Sequence, residues 1–214
     1  MTETISLFSE AIERIAGLVQ RAVQQGGIVA LPTDTYYGLG VDPFNEAAVD
    51  RLIHLKGRGD GKPILVLIGS LEQLSLVVRE ITPVGQILIE KFWPGTLTIL
   101  FPAKPELPRN LTAGTGLVGV RLSAYAPLNR LLRLVGPLTG TSANRSGFPP
   151  ADTAQLVELE SGIKVDVVVD AGPTAGGLPS TVVNAQSPVR IIREGAVTRQ
   201  EIQDVLQTLG IALV

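Results

Sequence analysis

LPTDTYYGLGVDPFNEAAVDRLIHLKGRGDGKPILVLI, residues Leu31 to Ile68, carries the reading of this 214-residue chain. A short apolar run, Ile28 to Leu31, reads as a strand that feeds a loop crowded with hydroxyls, and five apolar residues, Ile64 to Ile68, close the stretch. Thr33, Asp34, Thr35, Tyr36 and Tyr37 come in succession and are followed by Gly38 and Gly40, so a strand end presents polar groups where backbone can come close to a ligand. Asn45 N-caps a helix through Lys56 that turns Val49, Leu52 and Ile53 inward. Beyond it Lys56, Arg58 and Lys62 stand among Gly57, Gly59 and Gly61 before Pro63. Bared N–H groups beside fixed positive charge suit a polyphosphate or carboxylate. The same residues also read as a solvated helix end, because cations favour a helix C-terminus and glycine ends helices. Composition leaves both readings open.

Hydrophobic residues make up 45% of the chain and charged ones 18%, which predicts a sizeable core and excludes extended disorder. A chain of this size buries roughly 70% of its unfolded surface. Its apolar runs fall far short of the ~18 residues that span a bilayer, and Met1 to Gln20 carries acidic residues without signal-peptide order, so the reading is a soluble, cytoplasmic protein with no membrane partner. The lack of cysteine and the single histidine exclude disulfides, thiolate nucleophiles and metal centres built on Cys or several His. A net charge of −2 counts against a protein wrapped in nucleic acid. A local basic cleft stays open, since cations gather at Arg51 to Lys62, at Arg121 and at Arg190 to Arg193.

Upstream, Phe8 to Gln25 places Ile12, Ile15, Ala16, Val19, Ala22 and Val23 on one helical face, stopped by Gly26-Gly27. His54 falls one turn from Asp50 on the outer face of its helix and reads as a solvated ion pair in preference to a catalytic triad member. Ser70 with Gln73 predicts a capping box for a helix to Arg79, and Thr82-Pro83 starts another that ends at Trp93-Pro94-Gly95. Strands follow at Thr96 to Phe101 and Leu117 to Leu122, separated by a Pro-rich loop. Gly114 to Gly119 matches a dinucleotide fingerprint by letters, but it precedes a strand instead of following one. Arg121 lies inside that strand, where a cation is costly unless it meets an anion. Pro127 to Val135 is a helix, and the next strand delivers Thr139 to Gly147, either a polar cradle for nucleotide or phosphate oxygens or an ordinary Ser/Asn turn. Asp152 and Gln155 cap a helix to Ser161, Val165 to Asp170 is a buried strand, and Gly172 to Gly177 is a Gly-rich loop. Two more strands, Ser180 to Asn184 and Val189 to Arg193, precede a last helix with a Thr198/Glu201 capping box and a Gly210 stop. Helices alternate with strands early and strands bunch late, so the class is α/β with a mixed sheet.

Four separated stretches point the same way: Pro32 to Leu39, the Lys56-x-Arg58 pair, the Ser142-x-Asn144 pair with Gly147, and Ser180 to Val183 with Arg193-Glu194-Gly195. Together, in order and over nearly the whole chain, they resemble the YrdC-like family of L-threonylcarbamoyladenylate synthases. The resemblance implies a twisted open mixed sheet with helices packed on it and a concave, positively charged cleft, in one YrdC-like domain over residues 1–214 without the extra C-terminal domain of longer members. It implies condensation of L-threonine, bicarbonate and ATP to threonylcarbamoyl-AMP and pyrophosphate, and partner proteins that use the product in tRNA modification. Carried over position by position, it places Thr35, Arg121, Gly140 and Ser180 on L-threonine. It places Lys56 and Arg58 at the phosphates in the catalytic role, with Ser142, Asn144 and Arg193 lining the nucleotide. Position and charge add Lys62 to the ATP side. Mg²⁺ would come with ATP, held by phosphate oxygens and water and not by a protein ligand set.

The chain departs from the family pattern at Gly59, Lys62, Leu67, Leu117 and Pro150, where many members have proline, asparagine, histidine, threonine, and serine or threonine. The competing reading is a YrdC-like paralogue without synthase activity that binds RNA or ribosomes weakly on the same basic surface.

Overall fold

In the computed structural model the described residues are 2–57, 63–159, 164–208 and 210–214. They run in order through β1 (Glu3–Ser6), α1 (Ile12–Gln24), β2 (Val29–Leu31), β3 (Gly38–Gly40), α2 (Glu46–Lys56), β4 (Val66–Ile68), a 3-10 turn (Leu71–Gln73) leading into α3 (Leu74–Val77), and α4 (Pro83–Phe92). β5 (Leu97–Pro102), β6 (Leu117–Leu122), α5 (Ala126–Val135), β7 (Leu138–Thr139), β8 (Thr141–Ser142), α6 (Ala154–Leu159), β9 (Val167–Asp170), β10 (Thr181–Asn184), β11 (Arg190–Arg193) and α7 (Arg199–Gln207) complete the chain.

The α/β class and the mixed strand directions follow the sequence reading. Hydrogen bonding divides the strands into two sheets, ordered β1-β9-β2-β3-β8 and β11-β10-β5-β6-β4-β7. The chain passes from the second to the first at Gly140, which separates β7 from β8. Thr139 locks this step: its N–H donates to Val41 O (3.0 Å), and its hydroxyl accepts from Val41 N–H (2.9 Å) while donating to Leu39 O (3.2 Å). Gly140 N–H donates to Leu65 O (2.9 Å). A Cβ at Gly140 would lie 2.5 Å from Leu67 Cγ, so only glycine fits beside β4 without displacing that side chain.

Two apolar clusters hold the helices to the sheets. One gathers Val49, Leu52, Val66, Leu88, Ile99, Phe101 and Val120, and the other Ile15, Val19, Val29, Leu31, Leu131 and Val169. Local signals set the helix ends. Asn45 accepts from Ala48 N–H at the start of α2, Thr82 accepts from Gly85 N–H ahead of Pro83 in α4, and Thr198 with Glu201 forms the capping box of α7. α2 ends at Gly57, whose φ of 56° is the left-handed conformation glycine adopts without cost.

Several local expectations need correction. α1 begins at Ile12, and Phe8, 71% exposed, lies before it. Residues 3–6 form an edge strand parallel to β9, and their polar sequence shows no apolar alternation to announce it. β3 was hidden by its two glycines inside the hydroxyl-rich loop. The Ser70 capping box does not form; Gln73 Oε1 accepts from Gly69 N–H instead (2.8 Å), and the helix there is a 3-10 turn followed by the four-residue α3. Thr153, not Asp152, caps α6 by accepting from Leu156 N–H, and Ser161 lies outside the described residues.

Tyr37 is fully buried, donates from its hydroxyl to Gly172 O (2.8 Å) and accepts from Ala171 N–H (3.0 Å). Burial is the main cause that pushes its pKa up to about 12, opposed by the Ala171 bond and reinforced by the Asp170 charge. A raised pKa means the folded state holds the proton more tightly, so this contribution is complete below the ordinary tyrosine pKa and is lost as pH climbs towards 12. Denaturation midpoints measured from pH 9 to 12 are expected to fall more steeply for the wild type than for Tyr37→Phe. Thr139→Val keeps the side-chain shape but leaves Val41 N–H unpaired, and is expected to cost about 1–3 kcal/mol in urea unfolding.

Candidate functional site

Five positions form a row across the second sheet, each on a neighbouring strand or at its end. Ser180 directly precedes β10, Thr98 lies on β5, Arg121 on β6, Leu67 on β4 and Gly140 just past β7. Register sets its centre, where Arg121 pairs with Leu67, and the two ends lie two residues off direct pairing: Val182 is opposite Thr98, and Gly140 bonds to Leu65. Ser180 and Thr98 share a hydroxyl–hydroxyl bond of 2.9 Å, both buried. Three of the residues placed on L-threonine by resemblance, Arg121, Gly140 and Ser180, thus share one row, and the strand order brings them together although nearly 60 residues separate Arg121 from Ser180.

The fourth, Thr35, arrives from the other sheet on the loop between β2 and β3. Thr33 shapes that loop: its hydroxyl donates to Tyr36 O (2.6 Å), accepts from Thr35 N–H (3.1 Å) and lies 3.2 Å from the Thr35 hydroxyl. Asp34 then bridges to the row. Arg121 Nη2 donates to Asp34 Oδ1 (2.5 Å), Ser123 Oγ donates to the same oxygen (2.6 Å), and Ala124 N–H donates to Oδ2 (3.2 Å). Arg121 Nε donates to Gly95 O (2.9 Å). The cation that looked costly inside a strand is therefore buried with a carboxylate partner.

Arg193, at the end of β11, donates to Ser180 O (2.7 Å) and Ser180 Oγ (3.2 Å). Desolvation lowers its guanidinium pKa, and the nearby Arg121 charge lowers it further. Lys56, Ser142 and Asn144 form a second group. The buried Lys56 ammonium donates to Ser142 O and Asn144 O (2.8 Å) and reaches Asn144 Oδ1 (3.4 Å). Asn144 Nδ2 donates to Phe148 O (2.6 Å), Ser142 Oγ donates to Asn144 Oδ1 (2.5 Å), and Ser146 N–H donates to Lys56 O (2.9 Å). Lys56 thus lies beneath the loop that carries Ser142 and Asn144 and shapes it with its charge. Arg58, Gly59 and Lys62 lie outside the described residues.

The Gly-rich loop rests on this site. Gly176 N–H donates to Thr35 O (2.7 Å), Tyr36 OH donates to Gly177 O (2.8 Å), and Thr174 N–H donates to Asp152 O (2.8 Å). Sequence reading placed Thr33 and Asp34 in the ligand-facing loop without giving either a role, and it did not single out Ser123 or Thr98. The signal for Asp34 was present, since a carboxylate in a polar strand-end loop and a lone arginine inside a strand call for each other. Leu67 is buried, and Leu117 and Pro150 are partly exposed. His54 is exposed, and its Nδ1 bonds to the backbone O of Asp50 (2.8 Å), not to the carboxylate, which accepts from Asn110 Nδ2.

Comparison with known proteins follows this geometry. The family model Sua5_yciO_yrdC, described as "Telomere recombination", matches residues 21–195. A protein of Pyrococcus abyssi named threonylcarbamoyl-AMP synthase is 35% identical over 191 residues, 88% of this chain, which spans only 56% of that relative's length. One of Thiobacillus denitrificans with the same name is 40% identical over 163 residues, 76% of this chain and 86% of its own. The crystal structure of P. abyssi Sua5 complexed with L-threonine superposes with a TM-score of 0.84 at 32% identity, covering all of this chain and 62% of that one. With a model match over most of its length, and relatives above 30% identity, the chain belongs to the Sua5/YciO/YrdC family.

Proposed function

We propose that this chain is a threonylcarbamoyl-AMP synthase, condensing L-threonine, bicarbonate and ATP into threonylcarbamoyl-AMP and pyrophosphate. The observation that carries the reading is the arrangement of Thr35, Arg121, Gly140 and Ser180 in a fold that superposes along its whole length on a relative crystallised with L-threonine. The reading takes residues 1–214 as one YrdC-like domain acting in the cytoplasm. Among the described residues no helix is long and apolar enough to cross a membrane.

In the chemistry, the threonine amine attacks the carbon of bicarbonate and a water molecule leaves with the amine proton, giving a carbamate whose oxygen attacks the α-phosphorus of ATP as pyrophosphate leaves. No protein nucleophile takes part. The protein holds anions in line and stabilises charge as it spreads on the phosphorus, which is positioning plus electrostatics. Arg121 would meet the threonine carboxylate through Nη1, which has no protein acceptor among the described residues. Thr35, Gly140 and Ser180 complete that pocket. Ser142, Asn144 and Arg193 line the nucleotide, with Lys56, Arg58 and Lys62 supplying positive charge to the phosphates. Lys56 does so from beneath the Ser142–Asn144 loop. Mg²⁺ arrives with ATP as part of the substrate, held by phosphate oxygens and water. Proteins that transfer the threonylcarbamoyl group to tRNA adenosine consume the product.

Purified protein given MgATP and bicarbonate is expected to release pyrophosphate only when L-threonine is added; release indifferent to threonine would sink the reading. Arg121→Ala should weaken threonine binding by about 2–3 kcal/mol in calorimetry, the worth of a charge-assisted contact to a carboxylate. Lys56→Met should raise the KM for ATP about tenfold and speed amide exchange at Asn144, because the loop carbonyls lose their shared donor.

A further inference from the structure

Asp34 stands between the two halves of the amino-acid side and belongs to neither set of residues assigned above. Its carboxylate is fixed from three directions, by the Arg121 guanidinium, the Ser123 hydroxyl and the Ala124 N–H. Only 12% of its side chain and 5% of that of Arg121 are exposed, so the pair is screened from water and its geometry is stiff. Ser123 is itself held in place: its carbonyl accepts from Asn129 Nδ2 (2.8 Å), and its hydroxyl accepts from Tyr125 N–H (3.1 Å). The next residue in the chain is Thr35. One carboxylate on the first sheet therefore sets both the guanidinium on the second sheet and the entry of the loop that carries the Thr35 hydroxyl.

We propose that Asp34 is the positioning residue for substrate recognition: it aims Arg121 Nη1 and Thr35 at the amino acid. The contacts leave the Nη1 edge of Arg121 as the donor that the carboxylate of an α-amino acid can meet, since Nε and Nη2 are already bonded to Gly95 O and Asp34. The inference rests on the synthase reading above. It differs in sign from the alternative that Asp34 simply competes with substrate for Arg121, since removal of a competitor would tighten binding.

The test is steady-state pyrophosphate release by wild type, Asp34→Asn, Ser123→Ala, Arg121→Ala and the double variant Asp34→Asn/Arg121→Ala, with threonine and ATP varied separately and threonine binding to the wild type measured by calorimetry. Asp34→Asn is expected to raise the threonine KM about 10- to 100-fold, the loss that follows when a charged hydrogen-bond partner is removed, with the ATP KM within about twofold. Ser123→Ala, which keeps the ion pair, should give a smaller rise in the same parameter. In the Arg121→Ala background the Asp34 substitution should add less than about twofold, because its effect runs through that guanidinium. If Asp34→Asn does not fold, as judged by circular dichroism, Ser123→Ala decides by the same split. A threonine KM that falls or stays constant, or KM values for both substrates that rise together, overturns the inference while leaving an active wild-type synthase in place. A wild type that neither binds threonine nor releases pyrophosphate overturns the synthase reading and this inference with it.

Discussion

A buried carboxylate–guanidinium contact, Asp34 to Arg121, ties the hydroxyl-rich loop of one sheet to the central strands of the other. Each partner needs the other. Arg121 lies within β6, one residue from its end, where an unpaired buried cation would be driven out, and Asp34 sits in a loop where the Thr33 hydroxyl is already bonded to Tyr36 and Thr35. Loss of either partner of such a pair leaves an isolated buried charge at a cost of about 3–5 kcal/mol. The contact is thus a condition for the loop to lie where it does, and Thr35 and Tyr36 follow from it.

The second constraint is the step at Gly140. A chain that leaves one sheet and joins another must pass its backbone close to its neighbours, and here Leu65 and Leu67 fill the space a side chain would need. Thr139 satisfies the backbone groups that the change of sheet would otherwise strand, since its hydroxyl bonds to both Val41 and Leu39. Two residues further on, Ser142 opens the loop that ends in the Asn144 contacts. The same crossover therefore fixes Gly140 beside Leu67 and the start of the Ser142–Asn144 loop.

Cations in this site do two kinds of work. Arg121 and Arg193 present guanidinium groups near one another, tolerated because Asp34 offsets part of the charge and Ser180 accepts from Arg193. Lys56 instead spends its donors on the carbonyls of the adjoining loop. A lysine at a helix end and an arginine inside a strand look alike as charges in sequence, yet their neighbours give one a structural hold on a loop and the other a buried carboxylate partner.

Much of the fold was legible because it is written in local signals. Asn45, Thr82 and Thr198 cap helices by contacts within three residues, and short apolar runs such as Ile99 to Phe101 and Val167 to Val169 mark β5 and β9. The motif residues Thr35, Arg121, Ser142 and Ser180 were also visible as polar groups where a chain should be apolar or should end a strand. The edge strand β1 and the split into two sheets were not legible, because pairing between residues as distant as Glu3 and Val167 leaves no trace in local pattern, and the short β3 was hidden by its two glycines. The sequence by itself determined which residues carry charge and hydroxyls and where helices begin. Only the tertiary structure decided that Asp34 is the partner of Arg121 and that Lys56 holds the Asn144 loop, since both depend on register between distant strands.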